Sequence, residues 1–179
     1  MALTLLIGGA RSGKSSLAVD LGHRHHTAGH TVTYIATAPN LDHDMDRRIE
    51  RHRRERPADW QTIEEQVDLR GAMKAASDGL IIIDCLTLWT SNLMWNERSD
   101  DDICDVAAEV AAQAQARTDP TVAITNEVGL GVHPETELGR RYRDVLGRVN
   151  QTWAACADPA LLLVAGRAVR LDDPWQHLS

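Results

Sequence analysis

A chain of 179 residues with 43% hydrophobic residues is long enough to bury a core of its own, so we expect one domain over residues 1–179. Its formal net charge of −7 argues against a nucleic-acid partner, because most of its surface would repel a polyanion. The three cysteines lie far apart and form no C-x-x-C pair, which disfavours a zinc or redox site and predicts reduced thiols in a cytoplasmic protein.

The chain begins with an apolar run, residues 3–7, that leads into a loop matching G-x-x-x-x-G-K-[ST]. The run ends too early for a signal peptide or a membrane span, and it predicts a β-strand. Such a loop binds phosphate, because its backbone N–H groups curl around phosphate oxygens and the next helix points its positive end there. We expect Lys14 to reach the β- and γ-phosphates and Ser15 to ligate Mg²⁺. The loop consists of Gly8, Gly9, Ala10, Arg11, Ser12, Gly13, Lys14 and Ser15.

The next two elements are a helix and a strand. Helical spacing of apolar residues predicts a helix from about residue 13 to 26, with Gly29 available as its C-terminal cap. A β-branched run at residues 31–36 predicts a strand that ends in the turn-forming residues Thr37, Ala38 and Pro39. Ligands bind at the carboxyl ends of strands in open α/β sheets, so we expect these three residues to contact a nucleotide.

Residues 40–56 predict a second helix, with acids in its first turns, arginines further along and Pro57 just after its end. Arg48, His52 and Arg56 recur every four residues and therefore share one face of this helix. A charge run of this kind is often only a solvated helix face. The alternative is functional: flanking guanidinium groups bind phosphate oxygens and keep an imidazole in its neutral, nucleophilic form.

The middle of the chain contains a second candidate for metal binding. Glu64 precedes a short predicted helix around Leu69. Residues 80–84 then form an all-apolar run that ends in a carboxylate, which is typical of a central parallel strand buried on both faces. That carboxylate, Asp84, stands where P-loop enzymes have a Walker-B acid. It is either a direct or water-mediated Mg²⁺ partner or a turn former at a strand end.

The second half of the chain alternates between helix and strand. We predict helices at residues 86–95, 103–117 and 138–157, strands at 121–125 and 161–165, polar loops at 97–102 and 126–135, and a loosely ordered tail from 166. The loop that starts at Asn126 and Glu127 follows a strand, which favours a substrate- or metal-facing role over an ordinary turn. The pattern predicts an α/β fold of the P-loop NTPase (RecA-like) kind: a mostly parallel sheet of five to seven strands with helices on both faces.

Five motifs occur in one order along the chain. They are the loop of residues 8–15, Tyr34-Ile35-Ala36-Thr37, Arg48-Ile49-x-x-His52-x-x-x-Arg56-Pro57, Thr125-Asn126-Glu127-Val128-Gly129-x-Gly131-Val132-x-Pro134-Glu135, and Gly147-Arg148-Val149-Asn150-Gln151. Together they resemble the bifunctional adenosylcobinamide kinase/adenosylcobinamide-phosphate guanylyltransferase family of cobalamin biosynthesis. The phosphate loop alone would indicate only a superfamily, whereas the motifs around His52 and Asn126 make the resemblance specific. It extends over nearly the whole chain, from residue 3 to about 166.

The resemblance implies an enzyme, commonly a homotrimer, that phosphorylates the aminopropanol hydroxyl of adenosylcobinamide with ATP or GTP. It then transfers GMP from GTP to adenosylcobinamide phosphate through a covalent guanylyl-histidine, and His52 matches that histidine. Arg51 stands at a variable position where some members have a second histidine. The residues that match nucleotide-contacting positions are the loop residues 8–15, Thr37, Ala38, Pro39, Arg53, Arg54, Glu55, Arg56, Glu64 and Asp84.

Two other functions remain open at this point. A plain small-molecule P-loop kinase would use the arginine-rich helix only as a lid over the phosphates. A regulatory GTPase or a RecA-like motor is less consistent with the sequence, because Thr125-Asn126-Glu127-Val128 stands where a GTPase would have its N-K-x-D guanine motif. A motor on nucleic acid would also need a basic surface that this chain does not have.

Overall fold

The computed structural model describes residues 3–39 and 57–178. Within these ranges the chain forms one sheet with α-helices on both of its faces. The strands are β1 (Leu3–Gly8), β2 (Val32–Ala36), β3 (Gln61–Glu64), β4 (Leu80–Asp84), β5 (Thr121–Asn126), β6 (Ala160–Val164) and β7 (Arg167–Leu171). The α-helices are α1 (Lys14–Thr27), α2 (Leu69–Ala75), α3 (Leu86–Trp95), α4 (Asp100–Gln115) and α5 (Glu137–Cys156), and a short 3₁₀ helix follows at Pro174–His177. The helix predicted over residues 40–56 lies outside the described residues.

The strand order across the sheet is β3-β2-β4-β5-β1-β6-β7. All neighbouring strands run parallel except β7, which is antiparallel to β6. Parallel strands end at the same edge of a sheet, so the ends of β1, β2, β4 and β5 come together there. The strand that leads into the phosphate loop, β1, lies between β5 and β6. The predicted α/β architecture is thus confirmed.

The core consists of two apolar layers, one on each face of the sheet. In β4, Ile81 and Ile83 pack against the layer built by helices α2 to α5, whereas Leu80 and Ile82 pack against the layer that contains α1. Alternate strand residues point to opposite faces, which is why a strand buried on both sides reads as a continuous apolar run. No helix within the described ranges is both long and apolar enough to cross a membrane.

Two element boundaries differ from the sequence predictions. Strand β3 was not predicted, because only Ile63 among its four residues is apolar; it is an edge strand that pairs with β2. The loop predicted at residues 97–102 is too long, because α4 already begins at Asp100. The Ser99 hydroxyl accepts the backbone N–H of Asp102 there, and three aspartates in the first turn complement the helix dipole.

Residues 167–171 form strand β7, so the prediction of a loose tail from residue 166 is wrong. Ala165 and Gly166 have φ of 51° and 74°, as a two-residue type I′ hairpin requires, and β7 folds back along β6. All five residues of β7 are exposed, and two of them are arginines, Arg167 and Arg170. Arg167 shares a face with Val169 and Leu171 and limits the apolar alternation to two residues, which is too short a pattern to predict a strand.

Candidate functional site

The phosphate loop connects β1 to α1 at the carboxyl edge of the sheet. Gly13, with φ of 99°, and Arg11, with φ of 57°, turn the backbone in the left-handed region. A side chain at Gly8 would collide with the backbone carbonyl of Leu163 in β6, so only glycine fits there. Helix α1 begins directly at Lys14, and its free N-terminal N–H groups therefore face the loop. The loop has the backbone geometry that an anion needs.

Lys14 is the central side chain of the loop, and it is buried with 6% of its surface exposed. Its Nζ donates to Gly8 O at 2.8 Å, to Gly9 O at 2.7 Å and to Ser12 Oγ at 3.2 Å. Burial lowers the pKa of the Lys14 ammonium, an effect that the neighbouring Cys85 and Asp84 oppose. The ammonium is therefore held inside the loop, with the Asp84 carboxylate within electrostatic reach.

Asp84 ends β4 at the same edge, where it pairs in register with Ala36 of β2. Its Oδ2 accepts a hydrogen bond from the Tyr34 hydroxyl. At the next residue, Cys85, burial raises the pKa of the thiol to about 12, which favours its protonated form at neutral pH. The position and partner of Asp84 fix a carboxylate beside the loop.

Thr37, predicted to contact nucleotide, connects the ends of two strands. It is fully buried, and its Oγ1 donates to Cys85 O at 2.7 Å and accepts from Cys85 N at 2.8 Å. Its own N–H donates to Asp84 O at 3.0 Å. Ala38 and Pro39 follow, both half-buried. The hydroxyl of Thr37 thus has a structural role in joining β2 to β4, which sequence reasoning did not foresee.

The remaining predicted positions divide into two groups. Glu64 is exposed at the end of β3 and pairs in register with Ala36, so it lies at the same edge as the loop. The predicted nucleophile and its neighbours fall outside the described residues; these are Arg48, Arg51, His52, Arg53, Arg54, Glu55 and Arg56.

The predicted loop that starts at Asn126 and Glu127 begins at this edge, but the contacts that hold it there were not predicted from the sequence. The backbone N–H of Glu127 donates to Gly8 O at 3.2 Å, so the end of β5 contacts the start of the loop. Asn126 is held by two side chains from different helices, Thr87 on α3 and Asn150 on α5. The sequence feature that could have indicated these contacts is Asn150, a polar residue on the apolar face of α5 that needs a hydrogen-bond partner once it is buried.

The donor set at the loop fits magnesium. The described residues contain no group of three or more His, Cys, Asp or Glu side chains placed to hold a metal by themselves. The Ser15 hydroxyl directly follows Lys14, and the Asp84 carboxylate lies near the Lys14 ammonium. Hydroxyl, carboxylate and phosphate oxygens are the ligands that Mg²⁺ prefers, and Mg²⁺ commonly arrives with a bound nucleotide.

Comparisons with known proteins agree with this geometry. A family model described as cobinamide kinase / cobinamide phosphate guanyltransferase matches residues 4–171. The bifunctional adenosylcobalamin biosynthesis protein CobU of Salmonella typhimurium is 36% identical, and the alignment covers 94% of this chain and 99% of that one. The bifunctional adenosylcobalamin biosynthesis protein CobP of Pseudomonas aeruginosa is 37% identical, with 90% of this chain and 92% of that one covered.

Two solved structures resemble the chain at low sequence identity. The flagellar accessory protein FlaH from Methanocaldococcus jannaschii has a TM-score of 0.55 at 17% identity, covering 96% of this chain and 78% of that chain. A second solved structure, an ATPase domain, has a TM-score of 0.50 at 10% identity, covering 90% of this chain and 68% of that chain. At these identities the likeness establishes the RecA-like P-loop fold alone.

Proposed function

The chain belongs to the cobinamide kinase / cobinamide phosphate guanyltransferase family, and we propose that it carries out both of the reactions in that description. It phosphorylates adenosylcobinamide with ATP or GTP, and it then transfers GMP from GTP to adenosylcobinamide phosphate. The observation that carries the proposal is the phosphate loop formed around the buried Lys14, in a chain similar over its length to bifunctional enzymes.

In the kinase reaction the loop N–H groups and Lys14 bind the β- and γ-phosphates. The hydroxyl oxygen of adenosylcobinamide attacks the γ-phosphorus in line, the bond from that phosphorus to the bridging oxygen breaks, the nucleoside diphosphate leaves, and the hydroxyl proton is released to solvent. Lys14 stabilises the charge that develops on the transferred group. Ser15 and Asp84 would hold Mg²⁺, which supplies neutralising charge at the phosphates when bound.

In the guanylyl reaction we assign the nucleophile to His52. Its neutral imidazole nitrogen attacks the α-phosphorus of GTP, and the bond to the bridging oxygen breaks to release pyrophosphate. A phosphate oxygen of adenosylcobinamide phosphate then attacks the same phosphorus, which gives adenosylcobinamide-GDP and restores the free imidazole. The match of His52 to the guanylylated histidine and its helical spacing from Arg48 and Arg56 support this assignment.

The nucleotide contacts of the proposal extend beyond the loop. The residues assigned to them by resemblance are Gly8, Gly9, Ala10, Arg11, Ser12, Gly13, Lys14, Ser15, Thr37, Ala38, Pro39, Arg53, Arg54, Glu55, Arg56, Glu64 and Asp84. The common edge shared by the loop, Thr37, Glu64 and Asp84 supports this set. We further propose that the enzyme is a homotrimer and works in the cytoplasm, and its three free cysteines support a reducing compartment.

Mass spectrometry of the intact chain tests the guanylyl reaction. After incubation with GTP and Mg²⁺, the wild-type chain should carry one added GMP. His52→Ala should lose both this adduct and guanylyl transfer, yet retain much of the phosphorylation of adenosylcobinamide, because that reaction needs no enzyme nucleophile. His43→Ala, which removes another histidine of the same segment, should retain adduct and transfer.

Three outcomes would count against the assignment. A GMP adduct that persists in His52→Ala would place the nucleophile elsewhere. Loss of both activities in a folded His52→Ala variant would make this residue part of a phosphate-binding lid. A wild-type chain that phosphorylates adenosylcobinamide but never carries GMP would be a plain P-loop kinase.

A further inference from the structure

The backbone of Asn126 is held from two helices, at its N–H and at its carbonyl. The Thr87 hydroxyl of α3 accepts the N–H of Asn126 at 2.7 Å, and Asn150 Nδ2 of α5 donates to the Asn126 carbonyl at 3.0 Å. Thr87 and Asn150 are 7% and 6% exposed. Asn150 Oδ1 accepts the Thr125 hydroxyl at 2.7 Å, so both ends of its amide have partners. Buried hydrogen bonds of this kind hold a backbone in one position.

The next N–H along the chain, that of Glu127, contacts the phosphate loop. Glu127 N and Lys14 Nζ both donate to the same acceptor, Gly8 O, at 3.2 Å and 2.8 Å. A carbonyl oxygen has two lone pairs and accommodates both donors. When Lys14 turns to a phosphate, Glu127 N–H still satisfies the Gly8 carbonyl. The hydrogen bond from Glu127 N–H to Gly8 O therefore holds the end of β5 at the site, whatever Lys14 binds.

The segment that follows Asn126 in the chain faces away from the core. Residues 127–136 form the β5–α5 loop, in which Leu130 is 84% exposed and Val132 is 95% exposed. Large apolar side chains with so little cover suit a ligand that has apolar faces of its own. The loop around Lys14 accounts for binding of the triphosphate. The acceptor contains a corrinoid, which is a large ring with apolar faces and therefore suits these exposed side chains.

From these contacts we propose that Thr87 and Asn150 are positioning residues for the acceptor: they fix the backbone of Asn126 beside the phosphate loop and so direct the β5–α5 loop to the corrinoid. This inference rests on the proposed function, since it takes the acceptor to be adenosylcobinamide. It gives a role to Asn150 in the Gly147–Gln151 motif. Arg148 of that motif pairs instead with Asp100 at 3.4 Å and joins α5 to α4.

Steady-state kinetics of the kinase reaction, with adenosylcobinamide and nucleotide varied separately, test the proposal. Thr87→Val keeps the side-chain volume but removes the acceptor of Asn126 N–H. Asn150→Ala removes the donor to the Asn126 carbonyl. Each variant should raise the KM for adenosylcobinamide about tenfold or lower kcat/KM for it by that factor, and the KM for nucleotide should change less than about threefold. Thr87→Ser retains the hydroxyl and should restore wild-type kinetics.

Two further variants separate positioning from loss of stability. Val149 lies next to Asn150 and is fully buried in the core. Val149→Ala should lower the free energy of unfolding without changing the KM for either substrate. The double variant Thr87→Val/Asn150→Ala should lose less than the product of the two single effects, because both side chains hold the backbone of one residue, Asn126.

The results can contradict the inference without touching the proposed function. A wild-type enzyme that does not phosphorylate adenosylcobinamide would overturn the function itself. An active wild type whose Thr87→Val and Asn150→Ala variants keep its acceptor KM and kcat/KM would overturn only the positioning role. Equal increases in the KM for nucleotide and acceptor would do the same.

Discussion

At the scale of single residues, Lys14 shows how a buried charge is kept in place. A buried ammonium is costly unless oxygens surround it, and here two carbonyls and a hydroxyl of its own loop provide them. The phosphates of a nucleotide offer the same chemistry with a full negative charge. Charge-assisted bonds are stronger than bonds to neutral carbonyls, so Lys14 gains more from phosphate than from its resting partners.

The first prediction concerns this lysine. Lys14→Ala should lower kcat/KM of both transfer reactions by about two orders of magnitude or more, because a charge aimed at the transferred phosphate is lost. The chain contains one other lysine, Lys74, exposed at the end of α2, and Lys74→Ala is the matched control. Coupled kinase and guanylyl assays measure the effect. Kinase turnover close to wild type in Lys14→Ala would show that the loop is not the catalytic site.

The site could be predicted from the sequence where its chemistry is local. The loop of residues 8–15 is contiguous, and Asp84 directly ends an apolar strand, so both are visible in one short window. The contact of Asn150 with Asn126 joins residues 24 positions apart. Thr37 likewise reaches Cys85 across 48 positions. Such pairs depend on strand order and helix docking, which no local pattern specifies.

At the scale of elements, the β6–β7 hairpin supports the phosphate loop. Its tip residue Gly166 donates its N–H to Ser12 O at 3.0 Å. An added Cβ at Gly13 would lie 3.4 Å from the Gly166 Cα, so the two turns are in close contact. The hairpin therefore fixes the outer side of the loop, while the end of β5 contacts its first residue.

A pair of glycine substitutions tests the geometry of this hairpin. Neither Gly166 nor Gly147 has an atom within 4 Å of an added Cβ, so backbone conformation alone distinguishes them. Gly166→Ala should lower the free energy of unfolding by about 1–2 kcal/mol, because φ of 74° is left-handed. Gly147→Ala, inside helix α5, should raise it by about 0.5–1 kcal/mol. Urea denaturation measures both. Equal effects of the same sign would contradict the left-handed turn.

The elements that sequence reasoning missed share a physical cause. Strands β3 and β7 lie at the two edges of the sheet, where packing on both faces is not required. Their sequences are Gln61-Thr62-Ile63-Glu64 and Arg167-Ala168-Val169-Arg170-Leu171. Polar residues are tolerated at such edges and weaken the hydrophobic period. The central strands are buried on both faces, and all of them were predicted.

At the scale of the whole molecule, one edge of the sheet exposes apolar side chains to solvent. The β7 edge carries a group of uncovered apolar side chains: Val164, Val169, Leu171, Trp175 and Leu178, which are 60%, 62%, 41%, 75% and 70% exposed. Val164, Val169 and Leu171 lie on one face of the hairpin, because Arg167 pairs with Val164 and every second residue shares a face. An edge strand with an apolar face is a site where chains associate.

The last prediction is that this edge forms the interface of the proposed homotrimer. Val169→Asp should convert the assembly to single chains, since an unpaired carboxylate is costly to bury between subunits. Val132→Asp, the same substitution at a valine that is 95% exposed on the β5–α5 loop, should keep the mass of the wild type. Multi-angle light scattering after size exclusion measures both masses. A wild-type chain that elutes as a monomer would contradict the proposed homotrimer. A Val169→Asp variant that still forms trimers would place the subunit interface away from β7.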